Sequence, residues 1–217
     1  MRKRSFPGLL LALPLLSLMA LPAQAQGQYE FGGLALFSGY KGASVNSGPV
    51  GGSVGFQPGV SGGAYIGHTM NDRVGGEIRY LFSWNKLKLK SGGASTDFNG
   101  RSHIVNYDVL VYPFRPDARV RPYLAAGAGV TVFQGTGAEQ AFQPLSNLAL
   151  LTKTREALPT GDFGAGVRFR MSGNKIFRVE FRDYISKVPK VFEASPGASI
   201  SGLLHHWTPA FGFSWTF

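Results

Sequence analysis

The chain contains no cysteine. That excludes a disulfide framework, and it also excludes a thiol that could carry a lipid behind an export signal. Acid is scarce as well: 12 Asp and Glu stand against 22 Lys and Arg, for a formal net charge of +10. The four histidines (His68, His103, His205 and His206) do not combine with other ligand types at metal-binding spacing, so no metal or other cofactor is expected. Beyond residue 25, no run approaches the 18 consecutive apolar residues that a membrane-crossing helix needs. What the chain has in quantity is glycine, 30 residues, and aromatic rings, 13% of the total. Such a composition fits an all-β chain.

The N-terminus is organised differently. Arg2, Lys3 and Arg4 precede an apolar run from Phe6 to Leu21, and Ala23-Gln24-Ala25 follows. This is the pattern of a secretory signal cleaved after Ala25. A membrane anchor would need a longer run, and Pro14 interrupts this one. Of 217 residues, a 25-residue signal leaves 192, enough for one domain over 26–217. A basic surplus in a cytoplasmic protein would suggest nucleic acid. Export removes that reading and makes anionic lipopolysaccharide the natural counterpart.

The mature chain alternates with period two. In the closing stretch, Trp207, Pro209, Phe211, Phe213, Trp215 and Phe217 share one parity, while Thr208, Ala210, Gly212, Ser214 and Thr216 share the other. Similar alternation predicts strands over 29–37, 59–70, 74–84, 102–112, 120–133, 160–171, 176–185 and 204–217. Connections over 38–58, 85–101, 134–158 and 187–203 are long, and a short helix is a possible element within 147–157. Those over 71–73, 113–119 and 172–175 are short. The strand from Val74 to Trp84 takes ten steps of ~3.3 Å at a tilt of ~40°, rising about 25 Å, the height of the apolar band of an outer-membrane barrel. The expected fold is therefore all-β: an eight-stranded antiparallel up-and-down transmembrane β-barrel with four long extracellular loops and short periplasmic turns. A soluble eight-stranded barrel would have to place all these rings inside, where there is no room for them.

The inward parity carries Glu30, Glu77, Asp108 and Glu180 against Arg79, Arg168, Arg170, Arg178 and Arg182. Inside a narrow barrel each charge needs a partner. The set reads as a salt-bridged plug with no wide pore, or as a gated ion path through rearranging pairs. Asp183 falls on the lipid-facing parity, a misfit that a position at the outer interface or a bulge would resolve. Lys86, Lys88 and Lys90 continue the outward parity past Trp84, where they would meet lipopolysaccharide phosphates or edge a solvated loop.

The residues from Arg121 (RPYLAAGAGVTVF), Gly164 (GAGVRFR), Val179 (VEFRDYI) and Phe211 (FGFSWTF), together with the signal, resemble the small outer-membrane barrels grouped with the OmpA transmembrane domain and the OmpX-type proteins. The resemblance covers essentially the whole mature chain. It implies residence in the bacterial outer membrane, insertion by the barrel-assembly machinery through a signal at Phe211, Phe213, Trp215 and Phe217, and a monomer with a structural or surface-interaction role. Without the periplasmic domain of full-length tethers after Phe217, cell-wall anchoring is not expected. Some small barrels modify lipid A, but the His-x-Ser pattern of the lipid A deacylases is absent here, and His206 with Thr208 is the nearest approximation. An enzyme is not expected; a narrow channel and a loop-borne adhesin are the remaining alternatives.

Overall fold

The computed structural model describes residues 29–138 and 142–217. The expected signal, 1–25 with cleavage after Ala25, lies outside the described residues. Among the described residues thirteen strands run in order as β1 (Tyr29–Lys41), β2 (Ala43–Ser47), β3 (Val50–Phe56), β4 (Gly59–Thr69), β5 (Val74–Ser91), β6 (Ala94–Val111), β7 (Val120–Gly135), β8 (Ala149–Leu151), β9 (Arg155–Arg170), β10 (Lys175–Lys187), β11 (Phe192–Ala194), β12 (Ala198–Ser201) and β13 (Leu203–Thr216). Eight of them, β1, β4, β5, β6, β7, β9, β10 and β13, each pair antiparallel with the next. Pairing of β1 with β13 closes the ring, from Glu30 opposite Thr216 to Lys41 opposite His205. No helix among the described residues is long and apolar enough to cross a membrane. The strands make the crossing, since a closed barrel satisfies every backbone group within lipid.

Alternation sorts the side chains. On β13, Leu204, His206, Thr208, Ala210, Gly212 and Ser214 are buried inside, while Phe211, Phe213 and Trp215 stand about half exposed on the outer wall. Phe217 extends the last pairing: its N–H donates to Tyr29 O at 3.0 Å, and the two rings stack. Asp183 does lie on the outer wall, and no bulge is involved. The β10–β13 register runs unbroken from Lys175 opposite Trp215 to Lys187 opposite Leu203. Next to Trp207, the Asp183 carboxylate is only 7% exposed and meets His205 Nδ1 at 2.7 Å. The hydrogen-bonding partner and the interfacial ring together explain how a carboxylate is tolerated there.

The long connections differ from expectation. Segments 38–58 and 85–101 are mostly strand: β5 and β6 continue beyond membrane height as a hairpin turned at Gly92, whose φ of +55° favours glycine. Strands β2 and β3 form a second hairpin beside it, with Ser53 opposite Lys90 and Phe56 opposite Leu87, and β12 pairs with β2. The possible helix within 147–157 is absent. In its place β8 pairs with β11, and Gln143 clamps the Leu151 backbone through both its amide oxygen and its amide nitrogen.

These outer segments share an apolar core of their own. Val45, Val54, Phe56, Leu87, Leu89, Phe133, Leu148, Leu151, Val191 and Phe192 pack together above the barrel mouth. Leu87 and Leu89 alternate with the outward lysines, so the inward face of β5, which carries Glu77, Arg79, Ser83 and Asn85 at membrane height, turns apolar above it. A buried leucine contributes roughly 1.5–3 kcal/mol by transfer alone. Leu89→Ala should cost about 2–5 kcal/mol of cap stability. Whole-cell proteolysis should then cut the outer segments faster while heat-modifiable gel migration of the barrel persists; unchanged resistance would contradict a cooperative cap.

Candidate functional site

The barrel interior is layered. At the periplasmic end, the Arg121 guanidinium lies 3.7 Å over the Tyr112 ring and donates to Phe114 O and Asp72 O. Above it, Glu30 accepts from Tyr65 Oη at 2.7 Å, Ser214 Oγ at 2.6 Å and Arg178 Nη2 at 3.1 Å, and it is also bridged by Arg168. Arg178 in turn stacks 3.9 Å over Tyr65. Five membrane strands, β1, β4, β9, β10 and the closing β13, are thus tied through one carboxylate.

The middle layer is densest. Arg79 forks between Glu77 (2.9 and 2.5 Å) and Glu180 (2.5 and 3.0 Å), Tyr123 Oη donates to Glu180 at 2.5 Å, and Arg178 Nη1 donates to Glu77 Oε2 at 2.8 Å. Arg182 Nη1 then lies 3.0 Å from both Asp108 Oδ1 and Asp162 Oδ2, while Asn106 Nδ2 donates to both aspartates. Arg79, Arg178 and Arg182 are each no more than 1% exposed. Guanidinium is the cation suited to this setting, because its planar fork serves two carboxylates at once. Glycine makes the space: a Cβ at Gly166 would sit 2.5 Å from the Tyr123 hydroxyl, and one at Gly212 would sit 2.7 Å from Arg178 Cγ.

Of the nine charges expected in the network, Glu30, Glu77, Arg79, Asp108, Arg168, Arg178, Glu180 and Arg182 are brought together by the structure. Arg170 is not. It shares the inward parity but lies at the last residue of β9, where it is exposed and donates to Pro116 O at 2.6 Å. Beyond the rim there is water to solvate it, so no interior partner is required. Asp162, Arg121 and the three tyrosines Tyr65, Tyr123 and Tyr184 belong to the network and were not singled out from the sequence. Asp162 could have been, since it shares the parity of Arg168; the tyrosines carry no charge and gave no such signal.

Above the charges lies a belt of neutral polar groups. Ser38 and Ser61 hydroxyls meet at 2.6 Å, Thr131 and Thr160 at 2.7 Å, and Asn85 Nδ2 donates to Tyr40 Oη at 2.5 Å. His206 Nε2 lies 2.7 Å from Ser38 Oγ, and its ring stacks on Tyr40. Thr208, the expected companion of His206, instead donates to Arg182 O at 3.2 Å. A Ser–His pair has the elements of acyl transfer, but Ser38 and His206 are 2% and 5% exposed beneath the apolar cap. Among the described residues no group of three or more His, Asp or Glu side chains is placed to hold a metal ion.

On the outside, Lys86, Lys88 and Lys90 project away from the barrel above Trp84, with Lys86 Nζ 3.8 Å from Asp97 Oδ2. The ladder has company around the circumference. Exposed Lys41 lies opposite His205, Arg101 donates to Gln134 at 3.0 and 3.1 Å with Arg155 opposite that glutamine, and Lys187 lies opposite Leu203.

The interior pairs give a direct prediction. Arg79→Met removes the guanidinium that Glu77 and Glu180 share, leaving Glu77 with Arg178 and Glu180 with Tyr123, and should lower barrel stability by about 3–5 kcal/mol, read as the urea concentration at which the heat-modifiable form is lost. Arg170→Met, which removes one backbone hydrogen bond at the rim, should change it by about 1 kcal/mol. Equal effects would contradict the separation of these two arginines.

Solved structures with this architecture include the crystal structure of neisserial surface protein A, 12% identical, with a TM-score of 0.55 over 87% of this chain and 97% of that one. The crystal structure of the outer membrane protein OprG from Pseudomonas aeruginosa is also similar, 12% identical, with a TM-score of 0.57 over 88% and 97%. At such identity the likeness concerns the fold. No curated protein sequence matches the chain. The family described as outer membrane protein beta-barrel domain matches residues 9–217, and with a closed, charge-lined, eight-stranded barrel on the page, the chain belongs to that family of the bacterial outer membrane.

Proposed function

We propose that this barrel is a non-enzymatic structural or surface-interacting protein, held in the outer leaflet by lipopolysaccharide and closed to solutes. The observation that carries the reading is the contrast between its two polar surfaces. The interior arginines are matched to carboxylates and buried, whereas Lys41, Lys86, Lys88, Lys90, Arg101, Arg155 and Lys187 point outward around the wall. Lys86, Lys88 and Lys90 follow Trp84, and Lys41 and Lys187 lie beyond Gly39 and Asp183, the residues paired with Trp207; tryptophan is a residue of the kind that sits at a membrane interface. Cations just above that level face the phosphates of lipid A, each worth about 1 kcal/mol near an anionic surface. The outward rings of Phe211, Phe213, Trp215 and Phe217 suit recognition by the barrel-assembly machinery, and the closed ring acts as a monomer.

A narrow ion path is the second reading. It is favoured by interior polar atoms with no hydrogen-bond partner in the protein, among them Asp108 Oδ2, Asn106 Oδ1 and Arg182 Nη2. Conductance in planar bilayers separates the two: the closed barrel should stay near background, and steady single-channel steps would favour the ion path. Replacing Lys86, Lys88 and Lys90 together by Gln should weaken lipopolysaccharide binding by the refolded barrel several-fold and reduce its salt dependence; unchanged binding would sink the leaflet-anchor reading. Lipid A mass spectra should be the same with and without expression, and a new lipid A species would overturn the non-enzymatic assignment.

A further inference from the structure

The lipid-facing wall is not uniform. Across β7, β9 and β10, Leu124 lies opposite Ala165 and Ala165 opposite Phe181; in the next row towards the periplasm, Pro122 lies opposite Val167 and Val167 opposite Val179. Leu124 and Phe181 stand out, 65% and 50% exposed, with the single methyl of Ala165 between them. The result is a trough of about 780 Å³ running down to Val111 and Pro113, with Arg73 at its periplasmic end. Its size falls within the roughly 300–1,000 Å³ of small-ligand sites.

Arg73 reaches this end from the β4–β5 turn and donates from Nη1 to Pro113 O at 3.1 Å, which sets an exposed guanidinium beside an apolar channel. The surrounding turns are basic. Arg115 and Arg119 lie in the β6–β7 connection, and Arg170 and Lys175 flank the β9–β10 turn, against Asp72 and Asp117. An apolar trough ending in a cation matches an amphiphile with one anionic group, and the trough opens onto lipid rather than water.

We propose that this trough is a binding site for an anionic glycerophospholipid of the periplasmic leaflet, with an acyl chain over Ala165 and Val167 and the phosphate on Arg73. The site is distinct in place and chemistry from the outer basic belt, which lies at the opposite end of the barrel. A second copy of the chain would cover the same wall without needing a cation at its edge.

The test uses the full refolded barrel in nanodiscs of equal phosphatidylglycerol and phosphatidylcholine, followed by native mass spectrometry. The wild type should retain one phosphatidylglycerol per chain. Arg73→Gln should lower the preference for phosphatidylglycerol over phosphatidylcholine about tenfold, the ratio expected for loss of one charge-assisted contact. Ala165→Trp fills the trough and should abolish retention of both lipids; Val167→Phe serves the same purpose if the tryptophan variant fails to insert, as judged by heat-modifiable migration. The Lys86, Lys88 and Lys90 to Gln variant should retain phosphatidylglycerol as the wild type does. Identical lipid adducts on wild type and trough-filled variants, no headgroup preference in the wild type, or a mass of two chains would each overturn the proposal.

Discussion

A strand in hydrocarbon has no water to satisfy its amides, so each backbone N–H and C=O must find a partner within the sheet. The pairing of β1 with β13 meets that requirement for the whole ring, because without it two membrane strands would present bare edges to lipid. The aromatic C-terminus is part of this closure. Phe217 and Tyr29 exchange backbone hydrogen bonds and bring their rings together at the periplasmic rim.

Closure creates a second constraint. Eight strands enclose a lumen that side chains fill, and in this barrel much of the filling is charged. Glu30, Glu77 and Glu180 each receive more than one donor, and Arg79, Arg178 and Arg182 each serve more than one acid. A tyrosine hydroxyl completes Glu30 and another completes Glu180. Serine, threonine and asparagine then replace charge towards the outer mouth, and hydrocarbon replaces them in the cap. Polarity therefore declines from the barrel's middle towards the outer mouth.

The outer wall carries the reverse arrangement, with apolar side chains at membrane height and cations above. Asp183 is the exception that fits. Its outward position would be costly alone, but His205 and Trp207 cover it at the outer end of the strand. Departures of this kind, with Ala165 forming a trough and Arg73 at its edge, give the wall local character beyond a uniform apolar band.

Period-two alternation by itself marked the eight membrane strands and gathered the nine charges on one parity, because side-chain direction in a strand alternates residue by residue. Which parity faces inward came from the narrowness of an eight-stranded lumen, which has no room for the rings. Alternation could not tell where a strand stops being useful. Arg170 keeps inward parity at a rim where nothing demands a partner, and β5 and β6 keep alternating after the membrane has ended. Leu87 and Leu89 look like loop residues among lysines until β3, β8 and β11 arrive to bury them. Which acid meets which arginine, the pairing of Ser38 with His206, and the apolar cap were decided by tertiary structure alone. Each depends on the register and curvature that bring side chains from distant strands into one narrow lumen, and alternation along a single strand carries neither.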